Sequence, residues 1–207
     1  APPRVAVVTN RYDNVEKWLQ ACRVPYRSIE YARLDKAEVY SSFDAIFFPS
    51  GMEPSPETNI NILSRGTSIQ GVTLKEKHYR LDRKKLAHAL RTFIEGGGSV
   101  YFSGYSWDIL HGAYGGFDFF HDFPYIGSAG PVELRPEGDL RCFVSSSTIP
   151  AHMGFAGWVA AKSIDGADIL ATANFDTPRG EKEGPMVARL RKKRGEAYFT
   201  SYYASEI

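Results

Sequence analysis

Two hydrophobic rhythms alternate along the first half of the chain. Residues 4–9 (RVAVVT) form a short β-branched run, residues 14–22 (NVEKWLQAC) space their apolar side chains as a helix does, and residues 26–31 alternate as a strand. Residues 44–49 (DAIFFP) are almost continuously apolar and end in Ser50-Gly51, the pattern of a strand buried on both faces and closed by a tight turn. Within 81–94, Leu86, Leu90, Phe93 and Ile94 recur at helical spacing, with Asp82 placed to cap the start and the basic triplet Arg83, Lys84 and Lys85 on the solvated face. Gly96-Gly97-Gly98 ends that helix before residues 99–102 (SVYF) open another buried strand.

Strand and helix in alternation, with short connections, predict a parallel sheet covered on both faces, right-handed crossovers, and any site at the carboxyl ends of the strands. Three such ends are readable: Thr9-Asn10-Arg11, Ser50-Gly51-Met52 and Ser103-Gly104-Tyr105. Residues 53–79 are long, polar and weakly periodic, and read as a loop inserted beside the second end, where insertions modify function. Beyond Trp107 the sequence turns Gly- and aromatic-rich, followed by strand-like pieces at 132–134 and 141–144, so this half is expected to be antiparallel or irregular. Residues 185–190 and 196–201 pair in pattern across a basic tip at 191–195 (RKKRG), which predicts an amphipathic C-terminal β-hairpin.

Composition narrows the partners. The 207 residues are 43% hydrophobic and 24% charged with a net charge of +1, a balance that advertises neither a nucleic-acid surface nor attraction to anionic lipid. No run reaches the length of a membrane span, and a chain of this size buries an adequate core without metal or disulfides. The two cysteines, Cys22 and Cys142, are too few for a disulfide framework and are expected to pack as small apolar side chains in a helix and a strand. The chain opens Ala1-Pro2-Pro3 without Met, which reads as a processed mature chain or an excised fragment, and a soluble protein is expected, either cytoplasmic or a processed secreted chain.

The segment with most chemical content is 94–110 (IEGGGSVYFSGYSWDIL), in which a buried strand breaks at Ser103-Gly104 before a helix. Such an elbow lifts one side chain above the sheet and aims backbone N–H groups into the same space, as a nucleophile and its oxyanion site require. Ser103 stands at the tip, with Ser106 as a rival; a plain Ser-Gly turn capping the next helix is the simpler account of the same residues. His111, Asp118, His121 and Asp122 are of metal-ligating type but fit no recognised spacing, so no metal is expected there. Gly96 to Gly98 follow a helix and do not precede one, so they form no phosphate cradle, and no motif calls for a cofactor.

The order RVAVVT, FDAIFFPSG and EGGGSVYFSGYSWDIL resembles the class I glutamine amidotransferase-like superfamily, notably its trehalose-utilisation-type and biotin-ligase-N-terminal-like branches. Residues 153–171 (MGFAGWVAAKSIDGADILA) and 184–203 (GPMVARLRKKRGEAYFTSYY) continue the likeness, which spans about three quarters of the chain and is weakest over 53–79. The resemblance implies a flavodoxin-like α/β three-layer sandwich with a mostly parallel central sheet, formed by residues 1–207 as a single domain. It also implies an oxyanion donor at Gly51 and a nucleophile at the elbow, where the family carries cysteine and this chain carries Ser103. Tyr203 stands where related sequences place a histidine after the last core strand, and Glu206 cannot replace an imidazole easily. A serine without an adjacent base is a poor nucleophile near neutral pH, so both departures remove activation.

These readings give a site of Ser103 as the catalytic candidate with Gly51, Gly104, Ser106 and Tyr203 as oxyanion or binding residues, and a first function of a non-catalytic binding or scaffold domain, within a larger protein or assembly. A hydrolase using Ser103 and a small-ligand sensor are the alternatives. In each, a protein or small molecule is met at the cleft over the strand carboxyl ends. The discriminating features are a base within reach of Ser103, which favours the enzyme, and a cleft plugged by Tyr105 or Trp107, which favours the scaffold.

Overall fold

In the computed structural model, residues 2–10, 13–51, 81–121 and 123–203 are described. The inserted loop expected at 53–79 lies outside them, as do Arg11, Met52, His78, Asp122 and Glu206. The first strand, β1 (Val5–Val8), is buried at all four positions and is flanked in parallel by β2 (Tyr26–Ile29) and β3 (Ala45–Phe48), with α1 (Val15–Ala21) between β1 and β2 and α2 (Ala37–Tyr40) between β2 and β3. Next come α3 (Arg83–Glu95), β4 (Ser99–Ser103) and α4 (Trp107–Tyr114). The second half is almost all strand: β5 (Phe117–Phe119), β6 (Tyr125–Gly127), β7 (Gly130–Pro136), β8 (Ile149–Met153), β9 (Trp158–Val159), β10 (Ala161–Ile164), β11 (Asp168–Phe175), β12 (Lys182–Lys192) and β13 (Gly195–Thr200).

Nine strands form one sheet in the order β2-β1-β3-β4-β13-β12-β11-β7-β8, with β10-β5 and β6-β9 as two small ribbons. Pairings from β2 to β13 are parallel and those from β13 to β8 are antiparallel, four of each. The sheet is therefore evenly mixed and not mostly parallel. The reason is the hairpin: its turn is shorter than expected, Lys193 and Arg194 alone, and its second strand inserts beside β4 instead of folding onto an edge. Strand β13 is parallel to β4 and antiparallel to β12, so direction reverses at that strand.

Alternate side chains of the parallel strands enter opposite clusters, as the two-residue strand period requires. Ala6, Val8, Ile46, Phe48, Val100 and Phe102 join Leu86, Leu90 and Ile94 of α3 and Leu110 of α4. On the other face Val5 and Val7 meet Val15 and Leu19 of α1, with Phe47 and Tyr101 beside them. Phe48 and Phe102 are register partners whose rings stack at 4.7 Å, both fully buried. Helix α3 starts as its sequence predicts, the Asp82 carboxylate accepting the N–H groups of Lys84 and Lys85 at 3.1 Å each. A third cluster around Trp158, Met186, Val132, Leu134 and Phe175 belongs to the antiparallel half.

Three local expectations fail. Residues 141–144 are not a strand: Gly138–Cys142 is a 3-10 turn, with the Arg141 side chain donating to the Pro136 carbonyl at 2.9 Å, and Phe143 is 84% exposed just beyond it. Cys142 is accordingly exposed and not packed. Cys22 is exposed too, because α1 ends at Ala21 where Arg23 adopts φ 56°, which turns the chain away before the Val15-Leu19 stripe reaches it.

Candidate functional site

Parallel register fixes what meets at the carboxyl ends. With Phe48 opposite Phe102 and Thr200 opposite Ser103, the residues just past β3 and β4 converge, and the segment after β1 arrives beside them. Reversal at β13 brings the β11–β12 turn, the loop entering β7 and the loop leaving β8 to this same rim. Loop residues from both halves of the sheet therefore share one face of the molecule.

Ser103 is fully buried there. Its hydroxyl donates to the Asp13 carboxylate, a short contact, and its Oγ accepts the Ser50 N–H at 2.9 Å. The Ser50 N–H also lies 3.3 Å from the same Asp13 oxygen, and the Ser50 hydroxyl accepts the Tyr105 N–H at 3.1 Å. Asp13, 4% exposed, is itself held by Asn10, whose side-chain oxygen accepts the Asp13 N–H at 3.0 Å and whose amide donates to Glu16 at 3.0 Å. A buried carboxylate requires donors around it, and the Ser103 hydroxyl after β4 and the Ser50 N–H after β3 are two of them. Its charge also acts across the sheet: burial first, with Asp13 adding, raises the Tyr101 phenol, which shares a 2.9 Å hydrogen bond with Thr200.

Ser106 stands on the inner side of the same turn. Its hydroxyl accepts the Ser103 N–H at 3.0 Å and lies 2.8 Å from the Phe48 carbonyl oxygen, a bracket that ties the elbow turn to β3. Gly51 and Gly104 both take left-handed backbone, φ 72° and 45°, which other residues adopt at a cost. At Gly104 the lack of a side chain matters doubly, since a Cβ there would overlap the ring of Tyr203. The Tyr203 ring, 4% exposed, therefore sits against the elbow's main chain. Phe155 stacks on it at 5.0 Å with planes 9° apart, and Tyr105 flanks both rings at 6.0 and 6.4 Å. Farther along, Tyr125 packs against Tyr105 and Phe123 at 5.0 Å each, and its hydroxyl accepts from the Trp107 indole at 3.2 Å. Burial, partly offset by that bond, raises the Tyr125 phenol to about 12.

The sequence-predicted site residues thus divide. Ser103, Ser106, Gly104 and Tyr203 come together at the elbow, and Ser50 rather than Gly51 makes the hydrogen bond to Ser103. Of the two expected plugs, Tyr105 is at the elbow while Trp107 packs with Phe117 and Phe119. The metal-type residues scatter: His111 lies against the rings of Trp107 and Phe117, Asp118 pairs with Lys162 at 3.0 Å, and His121 meets Arg179 at 3.1 Å. Among the described residues no group of three such side chains is placed to hold a metal ion. No helix among them is long and apolar enough to cross a membrane. The basic hairpin tip is partnered too, Lys193 by Glu95, with Arg189 and Arg191 on Asp139 and Asp168. Asp13 was missed; the available signal was a carboxylate just after the first strand end, which reads more simply as part of the cap of α1.

No protein-family model and no curated protein matches the sequence. Solved structures do match in fold. A cytoplasmic protein from Salmonella typhimurium superposes with a TM-score of 0.56 at 12% identity, over 95% of this chain and 86% of its own. A glutamine amidotransferase from Thermotoga maritima gives 0.55 at 8% identity, over 98% and 76%. A ThuA-like protein from Parabacteroides merdae gives 0.54 at 11% identity, over 97% and 79%. The chain shares the fold of these structures, a glutamine amidotransferase and a ThuA-like protein among them, and at such identities the likeness speaks for fold alone.

Proposed function

We propose that this domain is a non-catalytic binding or scaffold module, built on a flavodoxin-like layering and working within a larger protein or assembly through the rim at the strand carboxyl ends. The layering is supported by α1 against one face of the parallel strands and α3 and α4 against the other. The observation that carries the functional reading is the state of Ser103. Its hydroxyl is fully buried, its proton is committed to Asp13 and its oxygen to the Ser50 N–H. A nucleophile needs an approach path, and this oxygen is fully buried, already accepts one N–H, and has the Tyr203 ring packed on the main chain of the next residue, Gly104. In this reading the elbow is a joint locking the ends of β1, β3 and β4.

One observation favours the hydrolase: the Asp13 carboxylate is within hydrogen-bond reach of Ser103. Carboxylates ordinarily titrate near about 4 and imidazole near about 6.5, so an aspartate is the weaker base for activating a serine at neutral pH. A panel of amide and ester substrates, with a fluorophosphonate probe, separates the two readings on wild type and Ser103→Ala. The expected result is no turnover and no probe adduct in either protein. Turnover or labelling that Ser103→Ala abolishes overturns the non-catalytic reading.

A further inference from the structure

We infer that the rim is self-occupied: Tyr203 is a plug seated on the Ser103-Gly104 elbow, and Phe155 is an outer leaf that holds it in place. The inference rests on the proposed role of this rim as the binding face, and says what presently fills it. Three observations carry it. First, Tyr203 is buried chiefly against glycine main chain and other rings, since the space a Gly104 side chain would take is filled by the phenol. Second, the outer leaf faces solvent. Phe155 is 39% exposed in the exposed stretch 154–156, while the base of that loop is pinned by Gly157, whose N–H donates to the Gly127 carbonyl at 2.7 Å and whose carbonyl accepts the Tyr105 hydroxyl at 2.9 Å. The leaf can swing while its base stays anchored. Third, the polar groups beneath hold one another: Ser103 bonds to Asp13, Ser50 and Ser106, a set already tied together under the ring.

These features make opening a local event and not a step of global unfolding. Offset or edge-on aromatic pairs are individually weak, so removing the outer ring shifts the closed-to-open balance by roughly 2- to 10-fold. Removing the plug itself exposes the elbow outright.

A buried thiol at the elbow reads this directly. The chain has two cysteines, both exposed, so the reporter is Ser103→Cys with Cys22→Ser and Cys142→Ser. Labelling by a small neutral thiol reagent is followed by mass spectrometry, and because the introduced thiol is common to every variant its intrinsic reactivity cancels. The expected order is slow labelling in the reporter and with Tyr203→Phe, which keeps the ring, a rise of roughly 2- to 10-fold with Phe155→Ala, and a rise of at least about tenfold with Tyr203→Ala. Phe155 is exposed enough for its variant to keep the fold, so the test survives if Tyr203→Ala does not. Equal rates across Phe155→Ala, Tyr203→Phe and the reporter, or rates that track the global unfolding rate in the same sample, overturn the plug. Turnover by Ser103 would instead overturn the non-catalytic reading and leave these rates unchanged.

Discussion

β1, β3 and β4 feed two hydrophobic clusters at once, one on each face, whereas β7, β11 and the amino-terminal part of β12 serve a cluster around Trp158 and Met186 and show charged side chains to solvent. The outward residues of the second half neutralise one another across strands: Arg135 reaches Asn174 and Glu183, and Arg189 reaches Asp139 and Asp168. Doubly buried strands leave no room for polar side chains along their length, so polar chemistry is pushed to their ends, and the Asp13-Ser50-Ser103 set is found there. Antiparallel strands with a wet face spread their polar groups along the sheet and concentrate none. The difference explains why candidate chemistry belongs to the parallel half while the antiparallel half supplies the aromatic cover from Phe155 and Tyr125.

The severest test of this contrast is in the doubly covered half. Phe48→Ala or Phe102→Ala deletes half of a fully buried ring stack and is expected to lower stability by about 3 to 5 kcal/mol in denaturant titration; a midpoint unchanged by either substitution would contradict two-sided burial. Asp13→Ala comes next. It leaves the Ser103 hydroxyl without its acceptor and removes the longer of the two acceptors of the Ser50 N–H, and should cost about 1 to 3 kcal/mol, with faster hydrogen exchange at Ser50. No change in either quantity would mean that the strand ends are not locked by that carboxylate.

The mildest test near neutral pH alters no residue. Burial raises the phenols of Tyr125 and Tyr114 to about 12 and moves Tyr40 and Tyr101 of the parallel half higher still. A tyrosine whose pKa is raised on folding contributes stability that is complete below its unfolded value of about 10 and is lost as pH climbs through the folded value. Stability should hold up to about pH 10 and fall between about 10 and 12, with tyrosinate absorbance from these rings appearing together with unfolding. Free ionisation of all 12 tyrosines near their ordinary value, with the fold intact, would break the prediction.

Local patterning made the parallel half legible. The runs VAVV, AIFF and SVYF are strands because a continuous apolar run of that length can be covered only from both sides, and Asp82 before an apolar stripe is a cap wherever it occurs. What was not legible depends on residues distant in sequence. The hairpin at 182–200 was readable as two strands, but its insertion beside β4 rests on pairing Ser99 to Ser103 with Glu196 to Thr200, which no local pattern records. Residues 141–144 have strand-like composition yet join no ladder, so the turn prevails. At the site the Ser-Gly elbow announced itself, because a turn that sharp is written in adjacent residues. Asp13 did not, since its role comes from a serine ninety residues away.

Among the described strands, β13 alone touches both the parallel and the antiparallel half of the large sheet. Without this strand the large sheet would part into two half-sheets with facing unpaired edges, β4 on one side and β12 on the other. Unpaired apolar edges of this kind invite pairing with other chains. Any substitution that loosens residues 195–200 is therefore expected to bare both edges together, which makes this one strand the place where self-association of a damaged chain would start.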